Sequence, residues 1–152
     1  MKLLPVILLI AAAGLNGCST SSTDKAGVRE IFDTRGLQVI TLFANRQQQT
    51  MSVLYGNRSA KVSAVAGYQK HVAGELFTLV TYQQADNKFW YGSYINGAVK
   101  STEVVTVTAS GNDNQFSYKL AQGKTPVDNP EQPLDTANRI ASIFSHRAGV
   151  FP

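Results

Sequence analysis

The chain has a single cysteine, Cys18, and it stands directly behind an N-terminal apolar run. Everything after it must fold without a disulfide, a thiolate metal cluster or a cysteine nucleophile, so the fold rests on a hydrophobic core alone. Lys2 gives a positive start, Leu3 to Ala13 an apolar stretch, and Gly14 to Gly17 the short segment a processing enzyme needs beside its cut. That tripartite layout reads as a secretory signal over residues 1–17, and the apolar run is too short for a good transmembrane helix. The remainder has the size of one domain with one core. The basic residues are scattered along a chain whose formal net charge as a whole is +4. With no run of Lys or Arg, a nucleic-acid partner is not expected.

Leu15-Asn16-Gly17-Cys18 resembles the lipobox of bacterial lipoproteins, although Asn16 is a less usual occupant of its place. The resemblance implies that Cys18 becomes the acylated first residue of the mature chain, and that the membrane is a partner through this lipid anchor. Several acyl chains, each worth about 0.8 kcal/mol per buried methylene, hold a protein on a bilayer far longer than one chain can. In lipoproteins of this kind an Asp after the cysteine retains the protein in the inner membrane. Ser19 stands there instead, which implies the periplasmic face of the outer membrane. Ser19 to Lys25 is polar and without apolar periodicity, so residues 18–35 read as a lipidated N-terminus and tether, with Gly27 to Arg35 ambiguous.

From Gly36 the pattern turns strand-like. Leu37 to Phe43 is apolar on both faces, Thr50 to Tyr55 is a second candidate strand, and Asn57 can cap a short helix through Val62 and Val65 to Ala66. Leu76 to Tyr82 and Lys88 to Ile95 flank an Asp86-Asn87 hairpin signal; Asn96-Gly97 suggests a second turn before Thr102 to Thr108. A third turn over Gly111 to Gln115 leads to Phe116 to Leu120. A meander of about five antiparallel strands follows. Pro126, Pro130 and Pro133 forbid regular structure in the next segment. Asp135 then caps a helix to Arg147, whose Ala137, Ile140, Ile143, Phe144 and Ala148 fall on one arc, with Asn138, Arg139, Ser142, Ser145 and His146 opposite. The expected class is α+β, an antiparallel sheet with a short helix and a C-terminal helix packed on it.

Chemistry-bearing groups are sparse. There is no internal repeat, no Gly-rich phosphate loop and no Ser-His-Asp order with supporting context. Phe89, Trp90 and Tyr91 read as core and cross-strand packing. Glu75 and Asp86 read as solvated turn residues. Arg139, on one helix face with His146, can bind an anion or serve as a surface charge near a helix end.

Ser142-Ile143-Phe144-Ser145-His146 has the spacing of a C-x-x-C-H haem-attachment motif with serine at both cysteine places. Together with Tyr55-Gly56-Asn57, His71-Val72-Ala73-Gly74-Glu75 and Lys88-Phe89-Trp90-Tyr91, it resembles the cytochrome P-460 and cytochrome c′-beta group over residues 36–152. The resemblance implies a mainly antiparallel sheet with packed helices, and places His146 where that group has its axial haem ligand. A thioether needs a cysteine sulfur at each haem vinyl, and Ser142 and Ser145 offer only hydroxyls. Covalent haem is therefore excluded, and no cofactor is expected. Only a noncovalent iron contact through His146 would remain, with His71 a loop residue rather than a second ligand.

Three readings stay open. One is a non-catalytic envelope lipoprotein with a binding or structural role; another is a redox protein holding noncovalent haem at His146; the third is an interaction or assembly module for an envelope protein partner. The third would use exposed sheet surface or the Pro-rich loop; the candidate haem or ligand site is His146 with Ser142, Ser145 and Arg139.

Overall fold

The computed structural model describes residues 29–111, 113–124 and 135–149. The signal segment, Cys18, the Ser19 to Lys25 stretch and the Pro126 to Pro133 segment lie outside the described residues. Five strands form one antiparallel meander, β1 (Gln38–Asn45), β2 (Thr50–Gly56), β3 (Leu76–Asp86), β4 (Tyr94–Ser110) and β5 (Asp113–Gly123), in that spatial order. Among the described residues, two short helices, α1 (Arg58–Val65) and α2 (Thr136–Phe144), complete a mostly β structure. The expected five-stranded antiparallel sheet is present.

Alternation along the strands gives the sheet two apolar faces. Leu54, Phe77, Leu79, Val105 and Val107 form one core with Ile40, Ala60 and Ala64, and Ile143 from α2 is buried in it. Ile140 and Phe144 pack against the same core half-buried. On the reverse face Val53, Tyr55, Val80 and Tyr82 are covered by Phe32 and Leu37 from the segment leading into β1. The Phe32 ring packs tilted against Tyr55 with centroids 5.3 Å apart, and Glu30 N–H donates to the Gly97 carbonyl at 3.3 Å. Gly27 to Arg35 carries no periodicity because its described part is an irregular strap laid on a sheet.

Asn57 does cap α1: its Oδ1 accepts from Ala60 N–H at 3.0 Å, while its Nδ2 donates to the Gly74 carbonyl at 2.7 Å. The buried face of α1, however, is Ala60, Ser63 and Ala64, and Val62 and Val65 face solvent. Small residues face inward because α1 lies very close to β2. A Cβ built on Gly56 would come within 2.8 Å of Ala60 Cβ and 2.6 Å of Ile40 Cδ1. The helix closes with Gly67 N–H donating to Ala64 O at 3.0 Å and Tyr68 N–H to Ser63 O at 2.8 Å, a Schellman pattern that puts Gly67 at φ 73°, and Tyr68 follows at φ 58°.

Two expected elements are corrected. Lys88 to Ile95 is not one strand: β4 begins only at Tyr94, and it runs straight through Asn96-Gly97 without a turn. The loop over Asn87 to Ser93 is built by Asn87, whose N–H donates to Ser93 O at 3.0 Å and whose Oδ1 accepts from Phe89 N–H at 3.0 Å. Gly97 serves instead as a close-approach residue inside the sheet, where a Cβ would meet Gln83 O at 3.0 Å. Phe89, Trp90 and Tyr91 therefore do not pack in the core; they stand in the loop, 91%, 72% and 108% exposed. The second correction is the end of α2, which stops at Phe144 rather than Arg147, Ser145 being its C-cap. Asp135 caps its start as expected, accepting from Ala137 N–H at 2.9 Å, and Ala148 reaches the core from beyond the helix.

Candidate functional site

The C-terminal turn of α2 and the β1–β2 hairpin enclose an open cleft of about 450 Å³. Arg139, Ser142 and His146 line it from the helix side; Phe43, Arg46, Thr50, Ser52 and Thr81 line it from the sheet side. Three of the four residues singled out from the sequence thus share one cavity. Ser145 does not, because its hydroxyl donates to Ser142 O at 2.7 Å and turns to solvent.

The polar arc of α2 is only partly solvated: Asn138 and Ser145 are exposed, whereas Arg139, Ser142 and His146 are half-buried. Arg139 lies over the sheet and makes a two-pronged contact with Glu103, Nε to Oε2 at 2.6 Å and NH2 to Oε1 at 2.7 Å. The Glu103 side chain is fully buried, and Tyr118 Oη–H donates to its Oε2 at 2.9 Å. Arg139 is thus the counter-charge of a buried carboxylate, not a free surface charge. Removing water from two ions is costly, and paired N–H donors in fork geometry are what make such burial tolerable. Sequence reasoning missed Glu103 altogether: a lone Glu in a Val- and Thr-rich strand was its only signal.

His146 follows α2 and is half-buried, its ring 3.7 Å from that of Phe43, centroid to centroid. Burial, and secondly the positive charge of Arg139, hold its pKa below the ordinary 6.5, so the neutral imidazole is favoured. Its carbonyl accepts from Tyr68 Oη–H at 3.2 Å. The Tyr68 hydroxyl is pushed up to about 12, by burial first and then by the negative charge of Glu75.

Glu75 is also corrected, since it is no solvated turn residue but 1% exposed. Its Oε2 pairs with His71 Nδ1 at 2.6 Å, and its Oε1 accepts from Val72 N–H at 3.0 Å and from the Ser63 hydroxyl. The His71 ring lies against Phe144 at 4.7 Å and Phe116 at 5.0 Å. Ser63 donates to the carboxylate and not to the imidazole, so this trio lacks the base contact that would activate a serine nucleophile. It fastens the loop between α1 and β3. Asp86, by contrast, is exposed at the end of β3 as expected.

No protein-family model and no curated protein matches this chain. The likeness to the cytochrome P-460 group therefore stands on its short motifs alone. The residues at the C-terminal turn do not fit that group's covalently held haem, because both attachment positions offer hydroxyl oxygen where sulfur is needed. The imidazole that would face iron is instead packed on Phe43.

Proposed function

We propose that the chain is a lipoprotein anchored through Cys18 at the periplasmic face of the outer membrane, carrying an α+β domain of cytochrome P-460-like build with a non-catalytic binding or structural role. The observation that carries the non-catalytic reading is the inward pairing of the groups that would do chemistry. Glu103 is held by Arg139 and Tyr118, Glu75 by His71, Ser63 and a backbone N–H, and His146 lies against Phe43. A general acid or base needs a titratable group presented to substrate, and these carboxylates are spent on holding the fold. The cleft lining sets the hydroxyls of Thr50, Ser52, Thr81 and Ser142 beside Arg46, His146 and the Glu103-paired Arg139, with no carboxylate among the lining residues. Such a lining suits a small neutral or anionic hydrogen-bonding ligand.

Anchoring supplies the other half of this reading, and it rests on the lipobox-like run before Cys18. Cell fractionation of Cys18→Ser tests it: the variant is lost from the outer-membrane fraction and retains its unprocessed signal. A variant that is processed normally and stays on the membrane overturns the anchor.

A further inference from the structure

The loop joining β3 and β4 carries Phe89, Trp90 and Tyr91 in succession, all three largely in solvent, with Tyr94 at the base of the hairpin 54% exposed. This is a firmly built loop. Besides the Asn87 bonds already described, Ser93 N–H donates to Trp90 O at 3.1 Å, Ser93 Oγ donates to the same carbonyl at 2.9 Å, and Gly92 takes φ 75° to close the turn. A sequence free to bury three adjacent aromatic rings holds them out on an ordered scaffold instead, beside Lys88. Exposed aromatic clusters of this kind mark a surface that meets something apolar.

The place where the chain enters the fold indicates what that is. The strap over Glu30 to Leu37 runs along the reverse face of the sheet, with Leu37 beside the start of β1 and Glu30 at Gly97 and Val99 of β4. Followed backwards, the chain leaves the sheet on the very hairpin that carries the aromatic loop. From Gly97 to the loop at Ser93 is roughly 13 Å at about 3.3 Å per strand residue. The stretch 18–28 before the strap can span at most about 40 Å at 3.3–3.6 Å per residue. The described chain thus begins on the hairpin that carries the aromatic loop, and that reach lets a lipid on Cys18 lie in the same bilayer surface the loop would touch. Trp and Tyr rings settle at the level of lipid headgroups, where one edge is apolar and the other wet. Arg29 and Lys88 add positive charge at this end, beside the acidic Asp86 and Glu30. A single weak contact becomes effective once a tether raises its local concentration.

We propose that the Phe89-Trp90-Tyr91 loop is a second membrane contact, which inserts its rings at the bilayer interface beside the lipid anchor and fixes the orientation of the domain. This rests on the reading of Cys18 as the anchored residue, and the test separates the two. Trp90 is the only tryptophan and Cys18 the only cysteine. The chain beginning at Cys18 can therefore be coupled to a maleimide-bearing lipid, which anchors it whether or not cells acylate it, in vesicles of phosphatidylethanolamine with a minority of phosphatidylglycerol. The emission of Trp90 is expected to move to shorter wavelength on coupling and to be quenched when the lipid chains carry bromine. In Phe89→Ser/Tyr91→Ser, whose altered residues are exposed, the quenching falls severalfold while circular dichroism is unchanged. Trp90 emission that stays at its aqueous position and is not quenched in the coupled chain overturns the proposal and leaves the anchor untouched. A blue shift that depends on protein concentration and occurs without vesicles also overturns it, in favour of pairing between two copies.

Discussion

At the scale of single residues, the fold uses its few ionisable groups as interior fasteners. Glu103 and Glu75 are both buried, and each is met by a cation or imidazole together with hydroxyl or backbone donors. His146 has a different consequence, because its imidazole is kept neutral by burial and by Arg139. Just below pH 6.5 the unfolded chain takes up a proton that the folded chain refuses, so stability falls as pH drops through this window and is regained as pH rises. Replacing His146 by Gln removes that difference in proton uptake. Denaturant unfolding of His146→Gln should change less than wild type between about pH 7.5 and 5, the range around an ordinary histidine pKa. Equal changes in the two proteins would mean that His146 titrates in the folded state as it does in the unfolded chain.

At the scale of elements, the question is what holds α2 on the sheet. Ile143 is its only buried residue, with Ile140 and Phe144 half-buried beside it, and the remaining attachment is the Arg139 contact with Glu103 across to β4. Arg139→Ala leaves a carboxylate buried without its cation, and should cost on the order of 3–5 kcal/mol. The double variant Arg139→Met/Glu103→Leu removes both charges and keeps apolar volume, so it should recover most of that loss. Chemical denaturation of the three proteins decides the matter; a double variant as unstable as the single one would show that the ion pair is not what Arg139 contributes. Local signals made much of this architecture readable in the sequence. Asn57 and Asp135 announce helix starts through their own side chains, and the β-branched and apolar runs around Leu54, Leu79 and Val105 announce strands. The fastening of α2 was not readable, because Glu103 and Arg139 meet only after the whole sheet has formed. High β-propensity misled at Lys88 to Tyr91: the rings suit a strand, but the Asn87 side chain and Gly92 commit the backbone to a loop. Val62 and Val65 misled at α1, where the nearness of Gly56 and Ala60 dictates that small residues face inward.

At the scale of the molecule, the exposed aromatic loop stands on the hairpin where the described chain enters the sheet, and the helix-covered face of that sheet holds an open polar cleft. The C-terminal residues marked in the sequence do converge there, through Arg139, Ser142 and His146, yet Ser145 turns away and Arg139 serves a buried carboxylate. Their spacing was legible, whereas their partners, Phe43 for His146 and Glu103 for Arg139, come from strands distant in sequence. The proposal that this site works without haem is tested by the absorption spectrum of the full chain expressed in haem-replete cells and titrated with haemin. No Soret band is expected in the purified protein and none that saturates on titration, with unchanged folding of His146→Ala. A Soret band that is lost in His146→Ala and kept in His71→Ala would contradict it and make the protein a noncovalent haem-binding redox protein.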